Sequence, residues 1–220
     1  MPSSSTLKSL LITCVLAAFA FSTAWSYNCE SCSSNPCSPD QTCEATQGCF
    51  NNKQQLQSLA LGASLSLWSK GCNQKECTSL AFTASLGNGY TFWYDHRCCH
   101  SEKCNKDDIS GPQKSSDPNG VKCYACYTDQ NISCDPVPLN CTGTETKCAV
   151  IIGTEARGST GPDARRAFAM GCTTESACQL NVTVLDNIDI RTYCIDPISG
   201  NPPLMPIISS MLTGLFLLNA

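Results

Sequence analysis

Cys98 and Cys99 are adjacent in the chain, and neighbouring cysteines cannot comfortably bond to each other, because the small ring strains the peptide between them. Each must therefore find a separate partner. Cys104 is near enough for a tight local loop with Cys99, which leaves Cys98 tied to something upstream. The upstream candidates are Cys29, Cys32, Cys37, Cys43, Cys49, Cys72 and Cys77. One short segment, Tyr94 to Asn105, would then knot both a long arm and a terminal loop.

Cysteine makes up 19 of the 220 residues, a density that in so short a chain marks a disulfide scaffold. The first 26 residues give the compartment: Lys8, an apolar run from Leu10 to Phe21, and Ala24-Trp25-Ser26 as a small-x-small cleavage site. Residues 1–26 therefore read as a secretory signal peptide. Cleavage before Tyr27 removes Cys14 and leaves 18 cysteines, an even number suited to complete pairing in an oxidising compartment. The other end is apolar from Leu204 to Leu218 and lacks a basic flank. With the small residues Ser199-Gly200-Asn201 before it, 199–220 reads as a GPI-anchor signal attached at Ser199. The alternative is an uncleaved C-terminal tail.

From Cys29 to Cys104 the gaps between cysteines are 2, 4, 5, 5, 22, 4, 20, 0 and 4 residues; from Cys123 to Cys194 they are 2, 7, 6, 6, 23, 5 and 15. The two series track each other, and Gly71-Cys72 and Gly171-Cys172 mark the same point in each. This is a tandem repeat. It divides the chain into a first unit, 27–105, a polar linker, 106–122, and a second unit, 123–198. Units this small bury a marginal core and need staples.

Strand patterns fill the long gaps. Ser79 to Leu86 and Tyr90 to Tyr94 flank Gly87-Asn88-Gly89, a strong hairpin signal because Asn-Gly tolerates positive φ. Leu180 to Val184 and Ile188 to Tyr193 alternate around Asp186-Asn187, and Ala149 to Thr154 can pair with Arg165 to Met170. Leu56 to Trp68 fits either period two or a helix face, and the repeat symmetry decides for a hairpin arm.

Both units resemble the three-finger domain of the lymphocyte-antigen-6/urokinase-receptor family, the first including the terminal Cys-Cys-x4-Cys-Asn at Cys98, Cys99, Cys104 and Asn105. The resemblance implies an all-β, disulfide-rich chain of two tandem three-finger domains. It also implies the bridges Cys29–Cys49, Cys32–Cys37, Cys43–Cys72, Cys77–Cys98 and Cys99–Cys104 in the first unit. In the second unit it implies Cys123–Cys148, Cys126–Cys134, Cys141–Cys172 and Cys178–Cys194. There the pattern departs after Cys194, where Ile195-Asp196-Pro197 replaces the last loop and its Asn. Phrases such as Cys141-Thr-Gly-Thr-Glu-Thr-Lys-Cys148 are similar to the second domain of gamma-type phospholipase A2 inhibitors. Fold alone does not transmit a function.

The chemistry-bearing residues point away from an enzyme. Two Cys-x-x-Cys motifs sit at domain starts among many other cysteines, so structural pairing outweighs redox chemistry. A zinc site from His96, Cys98, Cys99 and His100 would need four ligands in five residues to converge on one point, so no metal is expected. No Gly-x-Ser-x-Gly elbow or His-Glu-x-x-His helix occurs. No cofactor is expected, and a net charge of −4 offers no nucleic-acid footprint.

What remains is binding. Asn131, Asn140 and Asn181 head glycosylation sequons, all in the second unit. The first unit has none and offers Trp68, Tyr90, Phe92, Trp93 and Tyr94 as partner-binding aromatics. Strand alternation sends Phe92 and Tyr94 to one face and Trp93 to the other, so a single thin sheet cannot bury them all. The competing reading is that half of them line the sheet or the domain–domain contact. The expected function is a non-enzymatic extracellular protein-binding module, GPI-anchored at the cell surface as a receptor-like or adhesion protein. The alternative is a soluble inhibitor whose partner is a secreted phospholipase A2.

Overall fold

The computed structural model describes residues 26–33, 41–113, 115–155, 166–185 and 187–198. The expectations that fall on residues 1–25, on Cys37 and on 199–220, Ser199 included, lie outside the described residues.

The first unit is three hairpins. They are β1 (Tyr27–Glu30) with β2 (Thr42–Ala45), β3 (Cys49–Ser58) with β4 (Ala63–Cys72), and β5 (Leu80–Leu86) with β6 (Tyr90–Cys99). The second unit repeats the plan with β7 (Pro118–Thr128) and β8 (Val137–Thr142), β9 (Lys147–Glu155) and β10 (Arg166–Thr173), and β11 (Asn181–Val184) and β12 (Ile188–Ile195). Every pairing is antiparallel, and the architecture is two tandem three-finger folds. Asn88 (φ 58) and Gly89 (φ 71) make the turn between β5 and β6, the left-handed conformations that Asn and Gly tolerate.

Eight bridges lie among the described residues. In the first unit they join Cys29 to Cys49, Cys43 to Cys72, Cys77 to Cys98, and Cys99 to Cys104. In the second they join Cys123 to Cys148, Cys126 to Cys134, Cys141 to Cys172, and Cys178 to Cys194. Around them sit small cores made mostly of sulfur, such as Cys123, Cys141, Cys148 and Cys172.

The base of the first unit closes on Asn105, which is buried. Its amide nitrogen donates to the carbonyls of Glu30 (2.8 Å) and Phe50 (3.0 Å), and its oxygen accepts from the Glu30 N–H (3.0 Å). Beside it the Lys103 N–H donates to the Asn28 carbonyl at 2.7 Å. The second unit lacks that loop yet keeps the same backbone bond, because the Ile198 N–H donates to the Lys122 carbonyl at 2.8 Å. Asn28 and Lys122 each immediately precede the first cysteine of their unit. Main-chain pairing therefore does in the second unit what a disulfide reinforces in the first.

The two units share one sheet. Its strand order is β11-β12-β9-β10-β5-β6-β3-β4, with β7 and β8 branching from β10. The join is β10 on β5, with Gly171 opposite Leu86, Cys172 opposite Ser85 and Thr173 opposite Ala84. Side chains lock it: Thr173 Oγ1 donates to the Thr83 carbonyl (2.6 Å), and Ser176 Oγ to the Ala81 carbonyl (2.6 Å). Two glycines permit the approach. A Cβ on Gly171 would lie 2.1 Å from the Ser85 carbonyl oxygen, and one on Gly87 would lie 2.3 Å from Cys126 Cα.

Residues of β11 and β12 pack against residues of β5 and β6. Phe82, Phe92 and Tyr94 from the first unit are buried with Ala177, Val184 and Ile190 from the second. We expect Gly171→Ala to push β10 from β5 and cost about 1–3 kcal/mol, the usual range for overpacking. Urea unfolding with disulfides intact should show a lower midpoint; an unchanged midpoint would mean the seam is not tight.

Candidate functional site

The aromatic arm is not an exposed surface. Phe92, Trp93 and Tyr94 are 7 %, 6 % and 7 % exposed, which overturns the expectation that one face must stay open. Both faces are covered. Phe92 and Tyr94 lie in the core shared with the second unit's third finger. Trp93 lies on the opposite face, where Gly111 of the linker closes over its indole.

The polar linker packs against the first unit. Ile109 is 2 % exposed, and its carbonyl accepts from Lys53 Nζ at 3.1 Å. The Asp107 carbonyl accepts from Asn51 Nδ2 at 2.7 Å, and the Lys106 carbonyl accepts from Lys70 Nζ at 2.6 Å. Lys70 also pairs with Glu30 and Asp108, each at 3.2 Å. Beneath this strap Lys53 Nζ sits 5.1 Å from the Trp68 ring centre and 5.9 Å from that of Trp93. The indole N–H of Trp68 donates to Asn51 Oδ1 (3.0 Å), and that of Trp93 to Gln55 Oε1 (2.9 Å).

Trp68 and Tyr90 are half-buried. Tyr90 stacks on Tyr127 of the second unit with ring centres 4.3 Å apart. Burial, helped by Asp129 and Tyr90, pushes the Tyr127 hydroxyl up to about 12, and burial likewise raises Tyr94. Both phenols stay protonated at physiological pH and serve packing. All five aromatics named from sequence therefore work inside the molecule, at the junction of units and linker.

The sulfur–histidine groupings hold no free thiolate. His96 lies 3.4 Å from Cys77 Sγ and stacks on Phe50, but Cys77 and Cys98 are bonded to each other. Burial lowers the His96 pKa against the opposing pull of Asp95, which favours the neutral ring. His100 is exposed, and Cys99 is bonded to Cys104. The three sequon residues, Asn131, Asn140 and Asn181, are all exposed.

In the first unit the exposed large apolar side chains among the described residues lie elsewhere, at the tip of the β3–β4 finger. Leu59, Leu61 and Leu65 are 66 %, 73 % and 49 % exposed, and Ala60, Gly62 and Ala63 beside them are exposed too. The turn is shaped by Gly62 (φ 62) and by the Leu61 N–H donating to Ser58 Oγ at 3.2 Å. A bond from the Leu59 N–H to the Gly89 carbonyl (3.1 Å) ties it to the neighbouring finger. The tip is therefore held in place. From Gln54 to Ser69 there is no charged residue. That sixteen-residue gap between Lys53 and Lys70 is the sequence signal for the exposed tip; repeat symmetry assigns the segment to a hairpin arm, which β3 and β4 form, without marking its tip.

Comparison with known proteins agrees with this geometry. A family model for the u-PAR/Ly-6 domain matches residues 25–107 and again 119–199. Protein RoBo-1 of Rattus norvegicus is 39% identical over 203 residues, covering 90% of this chain and 81% of that protein. Ly6/PLAUR domain-containing protein 8 of Mus musculus is 27% identical over 224 residues, covering 94% of this chain and 84% of that protein. Among the described residues no helix is long and apolar enough to cross a membrane. With two matched domains, the three-finger hairpins and the disulfide-rich base, this chain belongs to the u-PAR/Ly-6 domain family.

Proposed function

We propose that the protein is a non-enzymatic extracellular binding module that docks a protein ligand on its Leu59–Leu65 fingertip. It is held at the outer leaflet by a GPI anchor at Ser199. The observation that carries the docking reading is the uncharged apolar tip, with Leu61 73 % exposed on an anchored turn. Exposed apolar clusters of this kind mark interaction sites. The family's domains are generally binding modules rather than enzymes. Anchoring rests on the apolar run 204–218 behind Ser199-Gly200-Asn201.

The docking face is tested with a panel of secreted and cell-surface proteins that includes a secreted phospholipase A2. The ligand found should bind the full chain and lose about 2 kcal/mol, roughly thirty-fold, with Leu61→Asp. Binding should be indifferent to Asn181→Gln. A ligand unaffected by Leu61→Asp would place the site elsewhere, and tight binding of the phospholipase would move the function to the inhibitor reading. Anchoring is tested separately. Phosphatidylinositol-specific phospholipase C should release the protein from expressing cells, whereas retention with the 204–218 peptide still detectable would refute the anchor.

A further inference from the structure

A sheet edge carries unpaired N–H and C=O groups that invite another strand, and proteins guard such edges with short strands, proline or charge. Among the described residues, β1 aside, whose outer edge Glu102, Lys103 and Asn105 cap, four strands have a free edge: β2, β4, β8 and β11. Three are guarded. Strands β2 and β11 have only four residues each, and β11 begins at the sequon residue Asn181. Strand β8 contains Pro138 and the sequon residue Asn140.

Strand β4 has none of these guards. It runs for ten residues, ASLSLWSKGC, with no proline, sequon or charge before Lys70. Only its far end is covered, where Lys70 exchanges both backbone hydrogen bonds with Cys32, at 3.0 and 2.8 Å. That bridge fixes the phase. Since Lys70 points its N–H and C=O outward, alternation points those of Trp68, Ser66 and Ser64 outward too. No described residue pairs with them.

We infer that β4 pairs with β4 of a second copy of this chain, antiparallel and centred on Ser66. The self-complementarity of the edge selects this occupant. About Ser66, the outward groups at 64, 66 and 68 meet those at 68, 66 and 64 of the other copy, so all six positions pair. A shift by two residues would set Trp68 or Ser64 against the turn or against Lys70, which Cys32 already occupies. The same register sets Leu65 of each copy opposite Leu67 of the other. It thereby covers Leu65, which is 49 % exposed beside the half-buried Leu56 of the shared core. From Ala63 to Ser69 the strand carries no charge to oppose the contact. The pairing takes up Leu65 but leaves Leu59 and Leu61 open, so the part of the tip that Leu61→Asp probes stays free in the dimer.

The test uses full-chain protein from glycosylating cells. Sedimentation equilibrium at micromolar concentration should give twice the monomer mass. Ser64→Asn creates an Asn-x-Ser acceptor with Leu65 and Ser66, and the glycan it carries should return the protein to monomer mass. The register is read by cysteine. Directly paired residues sit about 5.5 Å apart between Cα atoms, within disulfide range. Ser66→Cys should therefore give a covalent dimer on a non-reducing gel, and Ser64→Cys, which faces Trp68 of the other copy, should not. A monomeric wild-type protein overturns the inference. So does a dimer that survives an occupied Ser64→Asn glycan, or equal cross-linking by the two cysteine variants. Leu61→Asp should leave the dimer intact, which separates failure of this inference from failure of the docking site.

Discussion

The backbone pairing of β10 with β5 makes two disulfide-stapled hairpin sets into one molecule. Each set keeps only small clusters of its own, built on sulfur, with Phe168 and Met170 added in the second. Joined edge to edge, they gain the shared cluster of Phe82, Phe92, Tyr94, Val184 and Ile190. Burying an aromatic or aliphatic side chain of that kind contributes about 1.5–3 kcal/mol, against a typical net domain stability of about 5–15 kcal/mol. A handful of such residues across the join is therefore decisive. The close approach depends on Gly87 and Gly171, whose missing side chains let backbone meet backbone.

The linker completes this arrangement from the other side. Its carbonyls at Lys106, Asp107 and Ile109 accept from Lys70, Asn51 and Lys53. Buried ammonium groups are costly unless paired and hydrogen-bonded, and Lys70, with a side chain 2 % exposed, meets two carboxylates and a carbonyl. The result is a first unit clad on both faces. That cladding diverts its aromatics from binding to packing and leaves the fingertip and the β4 edge as its open surfaces.

The repeat, the hairpins and the fold class were legible because cysteine spacing and strand alternation are local properties of the chain. The turn at Asn88-Gly89 and the β9–β10 and β11–β12 hairpins needed nothing more. Alternation correctly separates Trp93 from Phe92 and Tyr94, but it cannot say whether another segment covers each face. That depends on contacts across the chain, such as Leu185 N–H donating to Gln54 Oε1 at 2.8 Å and Gly111 lying over Trp93. The burial of the aromatic arm was illegible for that reason. Leucines at Leu59, Leu61 and Leu65 look like core by type, yet they lie exposed at a tip, whereas Tyr90, Phe92 and Tyr94 meet the second unit and Trp93 lies under the linker.

Hydrogen exchange across the join tests the central claim most directly. In β5 the amides alternate between β6 and the second unit, where Ser85 lies in the β10 pairing and the Thr83 N–H donates to Thr174 Oγ1, so a peptide spanning Thr83 to Leu86 reports both edges at once. If the units form one sheet, both sets of amides are protected together and are lost only with global unfolding. If half the amides of that peptide exchange at once while the other half stay protected, β5 is a free edge, and the two units are separate bodies on a tether.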